Sequence, residues 1–173
     1  MGRRGGGPGA VTVDRVEEID RRIVTLLAGD GRMSFTDLAR ETGLSVSAVH
    51  QRVRRLEKRG VVRGYAALVD YDAVGLSLTA FVSIKPIDPA AADDAPERLA
   101  HLSAIEACHS VAGDESYILK VRVASPTALE ELLNQIRTSA NVSTRTTVVL
   151  STPYEHRSPG LAGPGGEGPA GQS

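Results

Sequence analysis

Cysteine is almost missing from this chain of 173 residues: Cys108 stands alone. A single thiol excludes an intramolecular disulfide and any metal site built on several cysteines. Tryptophan is absent and aromatics are few. A surface that stacks single-stranded bases on aromatic rings is therefore a poor reading. No stretch reaches the ~18 consecutive apolar residues of a membrane span. The opening MGRRGGGPGA is basic but lacks the apolar run of a signal peptide. These absences lead to the expectation of a soluble, cytoplasmic protein.

Net charge is also small, at −1, but the sum hides a division. Residues 1–64 hold 13 Lys/Arg against 8 Asp/Glu, and residues 65–173 hold 7 against 13. A basic part followed by an acidic part suggests one module for a polyanion and another for a different partner. The length allows one or two small domains. Each would have a marginal core alone, so oligomerisation is expected.

The most informative stretch is Gly43–Arg63, GLSVSAVHQRVRRLEKRGVVR. A glycine turn leads to Ser45, an N-cap candidate, and then to a helical pattern. Val46, Val49, Val53 and Leu56 share one face at helical spacing. The other faces carry Ser47, His50, Gln51, Arg52, Arg54, Arg55, Lys58 and Arg59. An apolar stripe docks such a helix on a scaffold, while its polar and basic residues can reach phosphates and base edges. Alone, a basic helix is more often a solvated face than a DNA contact. Its context changes the balance.

Asp14–Ala28 reads as a first helix, with Val16, Ile19, Ile23 and Leu26 on one stripe. Gly29-Asp30-Gly31 ends it. Ser34 caps a second helix with a capping-box-like spacing to Asp37, and Phe35, Leu38 and Ala39 point inward. Ala39, Gly43 and Val49 suit the small, left-handed and core positions of a tight turn. Three helices in about fifty residues form a helix-turn-helix arrangement. Ser47, His50, Gln51 and Arg54 are the expected base-contacting set. Arg52, Arg55 and Lys58 are expected to meet phosphates or internal carboxylates.

Residues 61–75 read as an extended linking strand and a loop. Beyond them, Leu78, Ala80, Val82 and Ile84 alternate with Thr79, Phe81, Ser83 and Lys85, as in a strand with one buried face. The pattern continues as a short helix over Pro96–Ser103, strands over Ile105–Ala112 and Tyr117–Val123, a Ser125-capped helix, and a strand over Asn141–Ser151. The Gly113–Ser116 turn joins the middle two strands. That order is β-α-β-β-α-β, the ferredoxin-like split. Phe81, Ile118 and Val149 would face away from both helices, so this face is expected to pair with another subunit. Residues 1–12 read as a disordered arm, in which Arg3 and Arg4 are more simply solvated than bound to DNA, and 153–173 as a disordered tail.

Other constellations are weak. Cys108 and His109 are neighbours on a strand and point to opposite faces, so they cannot act as nucleophile and base. His101, Cys108 and His109 match no common metal-site spacing. Gly166–Gly171 fits G-x-G-x-x-G but follows no strand and contains Pro169. Asn141-Val142-Ser143 fits a glycosylation sequon, which has no meaning without a secretory route. Neither an enzyme, a metal nor a cofactor is expected.

With DRRIVTLLAGDGRMSFTDLARETGLSVSAVHQRVRRLEKRGVVRGY at Asp20–Tyr65 and CHSVAGDESYILKVRV at Cys108–Val123, the chain resembles the Lrp/AsnC family, the feast/famine regulators. It looks nearest to the LrpA-type branch of actinobacteria. The resemblance spans roughly 14–152. It implies an α+β architecture: an N-terminal helix-turn-helix (winged-helix-like) domain over 13–60 and a C-terminal ferredoxin-like βαββαβ RAM domain over 76–152. It further implies an amino-acid effector, dimers formed through the RAM sheets, and octamers that act on double-stranded DNA. Effector sites between dimers would use Gly113, Asp114, Glu115, Ser116 and Tyr117. Glu115-Ser116 departs from the family's more usual pattern, in which a second Asp precedes the Tyr. Chemically, Asp114 or Glu115 can pair an ammonium, and backbone N–H groups near Gly113 and Ser116 can hold a carboxylate. The functional expectation is a sequence-specific, amino-acid-responsive transcriptional regulator. The alternative is a low-specificity architectural DNA-binding protein of the same fold.

Overall fold

The computed structural model describes residues 17–88, 90 and 92–156. The 1–12 arm, Val16, the sequence pattern at 166–171 and most of the 153–173 tail lie outside the described residues. The chain divides into two compact units between Ala67 and Leu68.

The first unit contains α1 (Glu18–Gly29), α2 (Phe35–Thr42) and α3 (Val46–Lys58). Ile23, Leu38, Ala39, Val49, Val53 and Leu56 form its core. Each of the last two helices begins on a serine cap. Ser34 accepts the Asp37 N–H at 3.1 Å, and Ser45 accepts the Ala48 N–H at 3.2 Å. The Ser34 cap differs from a full capping box. Its hydroxyl also donates to Asp37 Oδ2 at 2.6 Å. That bond, aided by the nearby Arg40, holds the Asp37 carboxyl below its usual pKa. Gly43 turns the chain between α2 and α3 at φ +71°. A Cβ there would meet no atom within 4 Å, so the need for glycine is conformational.

Three side chains depart from the apolar pattern. Val46 is exposed because it opens α3 ahead of the core-facing turns. Phe35 is exposed rather than inward, and its ring meets His50 edge-on at 5.0 Å. Asp20 is buried on α1 between Ile19 and Ile23. After α3, residues 61–70 form no strand. The Val61 and Val62 N–H groups fold back to Leu56 O at 2.9 and 3.2 Å. Extended sequence becomes a strand only where a partner accepts its hydrogen bonds, and none is present among the described residues.

The second unit contains β1 (Leu78–Pro86), α4 (Ala95–Leu99), β2 (Ile105–Ser110), β3 (Tyr117–Val123), α5 (Pro126–Ala140) and β4 (Val142–Val148). Its antiparallel sheet has the order β2-β3-β1-β4. One face packs Ala80, Val82, Ile84, Leu119 and Val121 against Leu129, Leu132 and Ile136 of α5 and Leu99 of α4. Ser125 caps α5 by accepting the Ala128 N–H, with Pro126 in the first turn. Both features match the sequence signal.

The other face carries Phe81 at 41% exposure, with Ile118 and Val149 less exposed. It also carries a charge cluster. A bulge in β2 between Ile105 and Ala107 frees Glu106 from the regular register. Glu106 pairs with Arg122 and with Lys120 Nζ, the latter at 3.1 Å. Lys120 also pairs with Glu155, and the Arg122 guanidinium lies 4.1 Å from the Tyr71 ring centroid. Burial pushes the Glu106 pKa up, but the hydrogen bonds from Arg122 and Lys120 outweigh it and the net shift is downward from 4.5. A lowered folded-state pKa stabilises the fold above the unfolded value, and that contribution disappears as pH falls through the folded value. Urea denaturation at stepped pH should therefore show a loss of stability below about pH 4.5, and Glu106→Gln should flatten that acid limb.

Candidate nucleic-acid interface and effector loop

Helix α3 is held from its side by a buried carboxylate. Asp20 Oδ1 accepts from Arg52 Nη1 at 2.7 Å, and Asp20 Oδ2 accepts from Arg55 Nη2 at 3.1 Å. Arg52 Nη1 also donates to Glu17 Oε2 at 2.8 Å. The Glu17 and Asp20 hydrogen bonds raise the Arg52 pKa further, opposed only by partial desolvation. A carboxylate removed from water is costly unless its charge and lone pairs are matched. Two guanidinium groups one helical turn apart supply that match. Arg52 and Arg55 thus occupy internal carboxylates, one of the two roles their positions allowed. The signal was present in sequence as an acid inside the α1 apolar stripe and arginines at i and i+3 in α3, but apolar periodicity alone passes over it.

The remaining polar residues separate by face. Ser47, Gln51, Arg54 and Lys58 follow one another at steps of four, three and four, so they form one exposed row along α3. The side chains of Gln51, Arg54 and Lys58 make no hydrogen bond or ion pair among the described residues. Ser45 is committed to the cap, and its hydroxyl lies 3.1 Å from that of Ser47. His50 flanks the row and is braced by Phe35. The row has the chemistry to meet phosphates and base edges together.

In the second unit, the loop before β3 is fixed at its base. Val111 N–H donates to Ser116 O at 3.1 Å, and Ser116 N–H donates to Ile84 O at 3.0 Å. The Ser116 N–H was expected to be available for a ligand carboxylate; it is already bonded within the sheet. Asp114 and Glu115 face a shallow concavity of about 220 Å³. Ser83 and Lys85 of β1 and Ser143, Thr144 and Arg145 of β4 complete its lining. Glu115 forms an ion pair with Arg145. Gly113 leaves open space, since a Cβ there would meet nothing within 4 Å.

Tyr117 parts from this group. It begins β3 on the helix-covered face, and its hydroxyl donates to Asp93 Oδ1 at 2.7 Å. That bond, with partial burial and the nearby negative charges, pushes the phenol pKa up to about 12. The structure therefore brings Asp114 and Glu115 together and sends Tyr117 elsewhere. Lys85 and Arg145 were not singled out from sequence. They lie far from the loop along the chain, and only the β1–β4 register, with Ser83 opposite Arg145 and Lys85 opposite Ser143, brings them to it.

The β2–β3 register also places Cys108 opposite Leu119 and His109 opposite Ile118, on opposite faces of the sheet. Burial raises the Cys108 pKa, with Glu97 adding to it, so the thiolate is disfavoured. No helix among the described residues is long and apolar enough to cross a membrane.

Comparison with known proteins agrees with this division. A family profile described as winged helix-turn-helix DNA-binding matches residues 16–63, and one described as the Lrp/AsnC ligand binding domain matches residues 79–159. The HTH-type transcriptional regulator LrpA of Mycobacterium tuberculosis is 57% identical over 144 residues, covering 83% of this chain and 96% of its own. The leucine-responsive regulatory protein of Escherichia coli K12 is 37% identical over 140 residues, covering 78% and 85%. A solved feast or famine regulatory protein from M. tuberculosis, complexed with L-methionine, superposes with a TM-score of 0.82 at 57% identity, covering 83% of this chain and 98% of that one.

If Asp20 is what holds α3 in place, Asp20→Ala should lower the stability of the first unit. Arg52 and Arg55 can regain water on one side, so the expected loss is about 1–3 kcal/mol rather than the larger cost of a fully buried orphan. Urea denaturation followed by circular dichroism measures it, and a Glu17→Ala control should lose less.

Proposed function

This chain belongs to the Lrp/AsnC family of transcriptional regulators, and from that premise we propose that it reads specific DNA sequences through α3 and adjusts its assembly and DNA affinity to a small amino acid. The observation that carries the DNA reading is the division of labour on α3. Arg52 and Arg55 are turned to Asp20, while Ser47, Gln51 and Arg54 stay unburied in one row. In this reading Ser47, His50, Gln51 and Arg54 meet base edges. Lys58 meets phosphate, Ser45 sets the start of the helix, and Arg52 and Arg55 orient it. Residues 13–60 act as the DNA-binding domain and 76–152 as the RAM domain for effector and assembly.

One α3 helix offers few base contacts. A second copy at fixed spacing supplies the rest, which makes the site roughly palindromic. The half-exposed Phe81, with Ile118 and Val149 beside it, is the surface we assign to dimer formation. Higher assembly, up to the octamer, follows the family. For the effector, the supporting observation is a concavity that offers both charge signs beside Asp114 and Glu115. The relative complexed with L-methionine adds the ligand class. The effector is thus an amino acid, with no metal or cofactor assigned.

Two measurements test this reading. Arg54→Ala should weaken binding to the specific site by ~1–3 kcal/mol while leaving random DNA less affected and the melting temperature unchanged. Equal loss on both DNAs would reduce Arg54 to a phosphate contact. Binding to the gene's own upstream region, with light scattering, should then be followed across saturating amino acids. At least one should change both oligomer size and DNA affinity; constancy of both across the panel removes effector control.

A further inference from the structure

Helix α3 carries four basic residues, Arg52, Arg54, Arg55 and Lys58. A free cation on such a helix favours every DNA alike, because phosphate repeats along any sequence. Two of the four are withheld. Arg52 pairs with Glu17 and Asp20, and Arg55 pairs with Asp20. The two carboxylates and two guanidiniums of this cluster cancel in formal charge. Both acids come from α1 and its N-cap, outside the DNA-facing helix.

The cancelled charge lies at the edge of the reading face. Arg55 is four residues from Gln51 and three from Lys58, so it borders the exposed row. It is also the looser of the two arginines. Its side chain is 49% exposed against 26% for Arg52, and its bond to Asp20 is 3.1 Å against 2.7 Å. Arg52 has Glu17 as a further partner. A guanidinium released at this border reaches phosphate, and each new phosphate contact steepens log K against log salt by about 0.9.

We propose that Asp20, with Glu17, restrains non-specific DNA binding: by cancelling Arg52 and Arg55 it withholds two phosphate contacts from α3, and discrimination is left to Ser47, His50, Gln51 and Arg54. Affinity for random DNA is then lower than the basic helix by itself would give, and the ratio of specific to random binding is higher. This rests on α3 as the DNA-reading helix and goes beyond it by giving the acids of α1 a share in specificity. The sign of the effect separates the two roles of Asp20. Removing a carboxylate that only braces the helix weakens binding to every DNA. Removing a restraint strengthens binding to random DNA.

The full-length protein is titrated by fluorescence anisotropy with a random duplex and with the gene's own upstream region, between about 50 and about 200 mM salt. Asp20→Asn keeps the size of the side chain and one acceptor oxygen, which Arg52 retains together with Glu17, and it releases Arg55. Affinity for random DNA should rise, its salt slope should steepen by about 0.9, and the specific-to-random ratio should fall. Adding Arg55→Gln to Asp20→Asn should return the slope to the wild-type value. Glu130→Gln, which removes an equal charge from an exposed position on α5, should not steepen it. Arg55→Gln alone is the independent arm and leaves Asp20 paired with Arg52. It should flatten the slope by less than Lys58→Gln, for which the expected change is about 0.9.

If folded Asp20→Asn leaves the random-DNA slope unchanged, or weakens binding to both DNAs alike, Asp20 only braces the helix. If Glu130→Gln steepens the slope as much, net charge alone is responsible. If Arg55→Gln flattens it as much as Lys58→Gln does, Arg55 is already a phosphate contact. Each of these overturns the restraint and leaves α3 as the DNA helix. Where circular dichroism shows Asp20→Asn to be unfolded, the comparison of Arg55→Gln with Lys58→Gln decides. If Arg54→Ala and Lys58→Gln change binding to neither DNA, the α3 reading falls and the restraint falls with it.

Discussion

A single buried carboxylate sets the geometry of the DNA-binding unit. Asp20 sits in the apolar stripe of α1, where a charge is costly unless it is matched. Arg52 and Arg55 match it from α3. Hydrophobic contact alone holds a helix against its neighbours but lets it rotate about its axis or slide along it at small cost. Two directed hydrogen bonds to two oxygens of one carboxylate restrict both motions. Ser47, Gln51 and Arg54 therefore present one defined face, which is what discrimination between base pairs requires. Two of the basic residues that make α3 resemble a DNA helix are thus engaged with a buried carboxylate, and the orientation of the outward face depends on them.

The second unit applies the same physics with the opposite emphasis. Its rigid part is the helix-covered side of the sheet, where β1 is flanked by β3 and β4 and packed by α5. The other side carries a charge network whose side chains are largely shielded from water. Glu106, Arg122 and Lys120 reinforce one another as a network. The pair between Glu115 and Arg145 stands apart from that network.

Much of the architecture was legible along the chain because it follows from local rules. Ser34, Ser45 and Ser125 cap helices by accepting nearby backbone N–H groups, and each had the right residue at the right offset. Alternation in Leu78–Ile84 and Tyr117–Val123 placed two strands with the correct faces buried. Local rules failed where a contact from elsewhere decides the outcome. Phe35 has the hydrophobicity of a core residue but lies at a helix start beside His50. Residues 61–70 have the composition of a strand but no neighbour to pair with among the described residues. Tyr117 adjoins the candidate effector loop in sequence, yet strand alternation turns it to the other face, where Asp93 holds it.

The sequence by itself determined the order of elements, the basic character of the third helix, and the family to which the chain is similar, because periodicity, caps and charge patterns are properties of neighbouring residues. Only the tertiary structure decided which arginines of α3 pair with Asp20 and which cations face Asp114 and Glu115. Arg52 and Arg54 are two residues apart and chemically identical; they differ because α1 presents a carboxylate to one side of α3 alone. Arg145 and Glu115 are 30 residues apart, and they meet because the sheet places β4 against β1 beside the loop.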